Sequence, residues 1–201
     1  VQPSRLRRAK QKIGDLLKLR PDKRAALIVY AGTAHTVLSL TADQSVLNQY
    51  LAAIEPGIMP RPGKFPEYAL AEVDQVLNRS HAAATLVMFG DGIGSDTHKV
   101  FTRYFETSQN QLMILGVGTQ STEPGLIPLE RQALEDLAST SDGSYIEMTV
   151  NDADVSRINR RVDNHFVVNE DSALPWLDSG YLLVFPAMAV FLMWFRKGWT
   201  L

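Results

Sequence analysis

Residues 84–92, Ala-Thr-Leu-Val-Met-Phe-Gly-Asp-Gly, form a short apolar run that ends on an acidic turn. The run is partly β-branched and aromatic and is bounded by glycine, the pattern of a strand buried on both faces. Such strands belong to parallel sheets covered by helices, and those sheets bind ligands at the carboxyl ends of their strands, near the switch point. Asp91 falls at that end, between Gly90 and Gly92, which let backbone approach a ligand. Asp-Gly also closes ordinary turns, so a purely structural cap is the competing reading.

The rest of the chain alternates in the same way. Helical spacing covers 4–19, and Arg20-Pro21-Asp22 breaks it. Strands at 25–30 and 35–40 flank Ala31-Gly32-Thr33 and read as a hairpin. Thr41 or Asp43 caps a helix through Ile54. Residues 55–66 hold four prolines and two glycines and read as a long irregular loop. A helix at 67–78, the strand at 84–89 and a helix from Ser95 or Asp96 to about Thr107 come next. A second buried strand covers 111–117, then a loop at 119–128, a helix at 129–139, the turn Ser141-Asp142-Gly143 and a strand at 144–149. Asn151 or Asp152 caps a last helix, 153–164. This order predicts an α/β fold, a doubly wound and mostly parallel sheet of Rossmann-like type. One feature is out of place for a complete domain: the fold opens with a basic helix and no strand before it.

That helix dominates the charge distribution. The chain carries a net charge of −2, but residues 1–24 hold nine Lys/Arg against two Asp/Glu, so the remainder is strongly acidic. Leu6, Ala9, Ile13, Leu16 and Leu17 follow helical spacing, and the basic residues fill the other face. A solvated amphipathic helix is the expectation. No aromatic residue interleaves with the charges, which argues against nucleic acid. Cysteine is absent, which excludes disulfides, thiolate metal sites and cysteine nucleophiles, and is consistent with a bacterial envelope protein.

The carboxyl end is of another kind. From Leu174 to Phe195 the only charge is Asp178, and Tyr181–Phe195 is an unbroken run of 15 apolar residues containing Pro186. That run spans about 22 Å as a helix, short of a ~30 Å hydrocarbon core, whereas the stretch from Leu174 suffices. Trp176 and Tyr181 at one end and Trp194 and Trp199 at the other resemble an aromatic belt, and Arg196 and Lys197 follow at once. The reading is a linker at 165–175, a transmembrane helix at 176–195 and a short cytoplasmic tail at 196–201, with domain 1–164 on the far side of the membrane. A buried helix ending a soluble fold is the alternative.

Several stretches together carry a resemblance. They are Pro3-Ser4-Arg5-Leu6 with Ala9-Lys10, Ala26 through Gly32, Leu40-Thr41-Ala42-Asp43, Pro56-Gly57-Ile58-Met59-Pro60, the Gly90-Asp91-Gly92 turn, and Asp178 through Trp199. In order and spacing the chain resembles the von Willebrand factor A (VWA) domain of membrane-anchored Bat aerotolerance-type proteins, over nearly its whole length. The resemblance implies a metal-ion-dependent adhesion site, in which Asp-x-Ser-x-Ser at the end of a first, central strand holds Mg²⁺ or Mn²⁺. A Thr or Ser from a second loop and an Asp from a third complete it. Such hard cations take oxygen ligands and keep an open position for a partner's carboxylate.

This chain departs from that pattern. The Asp-x-Ser-x-Ser strand is absent, Lys64 stands where the second-loop hydroxyl belongs, and only Asp91 matches a ligand position. The expectation is a degenerate site in which the Lys64 ammonium lies near Asp91 and replaces the metal's charge. Cation binding would return only if an upstream strand supplied the missing ligands. In the family's topology that strand lies between those at 25–30 and 84–89. Without it, both would present unpaired edges, at ~1–3 kcal/mol for each orphaned backbone group. An N-terminally truncated domain, with the strand and membrane segments upstream in a longer native chain, is therefore expected; direct pairing of the two strands is the other possibility.

Catalysis finds little support. His35, His81, His98 and His165 fall in different elements without ligand spacing, and Gly116-Val117-Gly118-Thr119 lacks the lysine and glycine spacing of a phosphate loop. Glu135 and Asp136 are adjacent on a helix and point apart, and no nucleophile elbow is present. The chain reads as a non-enzymatic, membrane-anchored interaction domain. It would be a scaffold in a bacterial envelope complex tied to stress or aerotolerance, held in the inner membrane and facing the periplasm. Its docking face is the strand ends, with Thr33, Lys64, Asp91, Gly92 and Ser95. The resemblance implies other Bat-type or tetratricopeptide membrane proteins as partners, with a MoxR-type AAA+ ATPase acting from the cytoplasmic side. Two alternatives stay open: a soluble metal-dependent adhesion or chelatase-like module, and a small-ligand-binding α/β domain that uses Asp91.

Overall fold

The computed structural model describes residues 4–78, 83–118, 128–149 and 151–172, together with Met188 and Phe191. The chain divides into two units, residues 1–166 and 167–201.

The first unit opens with α1 (Arg5–Lys18), whose amino end is capped by the Ser4 side chain accepting from the Arg7 N–H. A hairpin of β1 (Ala25–Tyr30) and β2 (Ala34–Thr41) follows, antiparallel as its alternation predicts. Asp43 caps α2 (Gln44–Ala53) by accepting from the Ser45 and Val46 N–H groups, which settles the choice between Thr41 and Asp43. The proline-rich loop contains two single 3₁₀ turns, Pro56–Ile58 and Pro66–Tyr68, before α3 (Ala69–Leu77). Then come β3 (Thr85–Gly90), α4 (Thr97–Thr107), β4 (Gln111–Gly116), α5 (Arg131–Thr140), β5 (Ser144–Glu147) and α6 (Ala153–Ser172).

The strands β3, β4 and β5 form a parallel sheet in that order, with Gly90 opposite Gly116 and Gly116 opposite Glu147. Apolar side chains alternate between its faces as the pleat requires. On one face Met88, Leu112 and Ile114 pack with Leu70 of α3, Phe101 of α4 and Leu134 and Leu137 of α5. On the other, Met113, Leu115 and Ile146 pack with Ile158 and Val162 of α6, and Leu16 of α1 joins them. The hairpin has its own cluster, in which Leu27 meets Leu47 and Leu51 of α2, flanked by Leu6, Ile13 and Leu17 of α1. Helices therefore lie on both faces, as in a doubly wound fold.

The sheet is not continuous. Among the described residues β1 pairs only with β2, and β3 only with β4. The two strands expected to flank a central one do not close on each other. Only β4 is buried along nearly its whole length; β3, the strand whose apolar run reads most clearly as buried, is half-buried except at Met88. Its sequence suits a central position, but among the described residues it pairs with a strand on one side only.

Two further expectations are corrected. The basic face of α1 is not simply solvated. Lys12 is buried and pairs with the fully buried Asp154 at 2.9 Å, Lys10 donates to the Ala52 and Ile54 carbonyls, and Arg20, just past the helix, bonds Asn159 and Asp163. The helix α6 also runs past Asn164 to Ser172, into the expected linker, because no proline or glycine interrupts 165–174. Of the predicted span at 176–195, only Met188 and Phe191 lie within the described residues, both helical and exposed. No helix among the described residues is long and apolar enough to cross a membrane.

Candidate functional site

The carboxyl ends of β3 and β4 place Asp91 at the rim of the parallel sheet, where its neighbours come from three separate stretches of chain. Arg5, in the first turn of α1, donates from Nη1 to Asp91 Oδ2 at 2.5 Å. Lys64, in the proline-rich loop, sets its Nζ 3.4 Å from Asp91 Oδ1 and 2.8 Å from Glu130 Oε1. Glu130 immediately precedes α5, and its N–H donates to the Asp91 carbonyl at 2.9 Å. Two cations thus alternate with two carboxylates. All four side chains keep contact with water, at 25% exposure for Asp91 and 41% for Glu130.

The glycines shape this rim. A Cβ on Gly92 would stand 2.5 Å from the Glu130 carboxyl carbon, and one on Gly90 would stand 2.6 Å from the Tyr30 hydroxyl. That hydroxyl donates to the Phe89 carbonyl at 3.0 Å, joining the end of the hairpin to the end of β3. Burial pushes the Tyr30 phenol well above its ordinary range, with Asp91 and Glu67 adding to the effect, so it is a neutral donor.

The other predicted residues lie around the cluster but bond elsewhere. Thr33, in the hairpin turn, meets His35 Nε2 at 3.1 Å. Ser95 is exposed, and neither it nor Asp96 caps α4 through its side chain. Buried Thr97 serves that end instead: its hydroxyl accepts from the Gly94 N–H and donates to Glu67 at 2.6 Å. Arg5 and Glu130 were not singled out from the sequence. Arg5 was one basic residue among nine, and Glu130 carries only the weak signal of a carboxylate at a helix start.

The donor set present does not fit a hard dication. Asp91 is already shared by a guanidinium and an ammonium, and a Mg²⁺ beside them would face two like charges. Among the described residues no three His, Asp or Glu side chains converge as a metal site. His98 only approaches Thr140 at 3.5 Å; His81 lies outside the described residues. What the cluster offers is two fixed cations at a concave sheet end, each able to take a carboxylate in place of Asp91 or Glu130.

Comparison with known proteins agrees with this architecture. The von Willebrand factor type A domain model matches residues 1–93. No curated protein sequence matches the chain. Among solved structures, BatB from Bacteroides thetaiotaomicron superposes with a TM-score of 0.72 at 19% identity, covering 82% of this chain and 90% of that one. An aerotolerance-related membrane protein from Bacteroides fragilis NCTC 9343 superposes with a TM-score of 0.71 at 22% identity, with the same coverage of both chains. Residues 1–93 thus match the von Willebrand factor type A domain model, and the chain shares the fold of these Bat-type structures.

Proposed function

We propose that this chain is a membrane-anchored VWA-type interaction domain and a scaffold in a bacterial envelope complex related to stress or aerotolerance. The observation that carries the reading is the Asp91 carboxylate held between Arg5 and Lys64. Where a cation-dependent site would offer a metal to a partner's carboxylate, this site offers a guanidinium and an ammonium. Docking takes place at the strand ends, with Thr33, Gly92 and Ser95 around the charged cluster, and needs no Mg²⁺ or Mn²⁺. The domain performs no catalysis of its own.

The span at 176–195 anchors it in the inner membrane with the domain in the periplasm. Other Bat-type or tetratricopeptide membrane proteins are the partners, and a MoxR-type ATPase acts on the complex from the cytoplasm. Site-specific photo-crosslinking from position 95 in native membranes tests this reading. The expected result is capture of a Bat-type or tetratricopeptide protein, unchanged by EDTA and lost on Lys64→Glu. Capture abolished by EDTA, or indifferent to Lys64→Glu, would overturn it. Carbonate extraction tests the anchor, since release of the intact chain into the supernatant contradicts it.

A further inference from the structure

A second charged surface lies at the other end of α1 from Asp91. Arg5 meets Asp91 in the first turn of the helix, and Lys18 ends it about 20 Å away. The turn that follows, Leu19-Arg20-Pro21-Asp22-Lys23-Arg24, leads straight into β1. Arg20 bonds Asn159 and Asp163, which brings α6 alongside this turn. There α6 carries Arg157, Arg160 and Arg161 on one exposed face, at i, i+3 and i+4, while Val155, Ile158 and Val162 are buried on the other.

Most of these cations are not used by the fold. Lys23, Arg24, Arg157, Arg160 and Arg161 are exposed and have no ion-pair partner among the described residues. Lys18 is also exposed, beside Asp15 at 2.9 Å. The acidic residues at this end are Asp15, Asp22, Asp43, which caps α2, and Asp163, which pairs with Arg20. Seven Lys and Arg against four Asp leave a local positive excess on a chain whose net charge is −2. In the middle of the basic turn stands Leu19, 51% exposed. An aliphatic side chain ringed by cations suits a bilayer surface, where the apolar group enters the headgroup boundary and the cations meet anionic lipid. Nucleic acid would use the cations alone, and neither 18–24 nor 157–161 holds an aromatic residue on which a base could stack.

The patch also lies where the chain leaves the first unit, at Phe166, one turn past Asp163. From there to residue 176 is at most about 35 Å of chain. We infer that this patch is a contact surface for anionic phospholipid headgroups, with Leu19 in the interface and Lys18, Lys23, Arg24 and the α6 arginines on the phosphates. The inference rests on the membrane anchoring proposed above and adds an orientation to it. With this end on the bilayer, the Asp91 rim stands about 20 Å away along α1 and stays open to protein partners.

Because the chain has no cysteine, Leu19→Cys can carry a single fluorophore. The full chain is reconstituted in phosphatidylcholine vesicles with or without phosphatidylglycerol, both containing a lipid with a headgroup-level nitroxide quencher. Ser95→Cys, labelled in the same way, reports on the rim. The expected result is quenching at position 19 in the anionic vesicles alone, none at position 95, and release at about 1 M NaCl, where the screening length falls to about 3 Å. Lys23→Gln, Arg24→Gln and Arg160→Gln remove cations that hold nothing in the fold. Each should lower the ratio of docked to free domain about fivefold, and the three together about a hundredfold. Quenching at position 19 that is equal in neutral vesicles, absent from both, or indifferent to the triple substitution would overturn the inference, as would quenching at position 95. A single-stranded oligonucleotide that shifts the position-19 emission where anionic vesicles do not would overturn it in favour of nucleic acid. Carbonate release of the chain with the anionic-lipid quenching intact would count against the span alone, and loss of Lys64-dependent crosslinking with it intact would count against the docking reading alone.

Discussion

Replacing Lys12 with methionine isolates the one fully buried ion pair found among the described residues. Lys12 lies on α1 with its side chain 7% exposed, and Asp154 at the start of α6 is 0% exposed. The ammonium bonds Asp154 Oδ1 at 2.9 Å and the Asn151 carbonyl at 2.5 Å. Solvent screening offers no discount at such a site, and methionine retains the apolar stem while removing the charge. Breaking a buried pair from one side costs about 3–5 kcal/mol, because the remaining charge stays desolvated. Asp154 keeps two other donors, the Thr149 N–H at 3.0 Å and the Val155 N–H at 2.8 Å, which places Lys12→Met at the low end, about 3 kcal/mol. For a domain of this size that corresponds to a fall in Tm of about 6–12 °C. Urea unfolding followed by far-UV circular dichroism measures it. The double variant with Asp154→Asn is expected to cost less than the sum of the singles by about 2 kcal/mol. A Lys12→Met cost below about 1 kcal/mol, or singles that simply add, would refute the assignment of α1 docking to this pair.

Three further outcomes follow from the geometry. Arg5→Ala with Lys64→Ser leaves Asp91 and Glu130 as an unneutralised pair. Calorimetry should then show weak, millimolar-range Mg²⁺ or Mn²⁺ binding that the parent chain lacks. Gly143→Ala would bring a Cβ within 2.7 Å of the Leu112 carbonyl oxygen and should cost about 2 kcal/mol in urea unfolding; Gly92→Ala meets first the exposed end of the Glu130 side chain, which can swing aside, and should cost under about 1 kcal/mol while breaking the Lys64 contact. Tyr30→Phe removes the bond to Phe89 and should cost about 1 kcal/mol at neutral pH. The folded-state phenol is raised above its ordinary 10.0, so its contribution is complete below pH 10 and is lost as pH rises beyond it; the variant should therefore lose less stability than the parent between pH 10 and 12.

Local signals placed the elements well. The alternation in 25–30 and 34–41, the Asp43 cap and the apolar run at 111–116 are each written within a few neighbouring residues, because hydrogen bonding and pleat repeat over short spans. The role of α1 was only half legible. Its apolar stripe located the packed face, but Lys12 follows the same charge pattern as its exposed neighbours, and only α6, some 140 residues later, shows that it is buried. The end of α6 was misplaced because the sequence between Asn164 and Pro175 contains no breaker to mark it.

The sequence by itself determined the parallel α/β class, the strand-end position of Asp91 between its glycines, and the absence of a hydroxyl at position 64, since each depends on residue type and local periodicity. Tertiary structure alone decided that Arg5 and Glu130 join Lys64 and Asp91, because those four residues lie up to 125 positions apart and meet only when α1, the proline-rich loop and the start of α5 converge on one sheet end. It also decided that β1 and β3 stay apart. A strand's edge is satisfied or left open by what lies beside it in space, and no property of residues 25–30 or 85–90 alone records that neighbour.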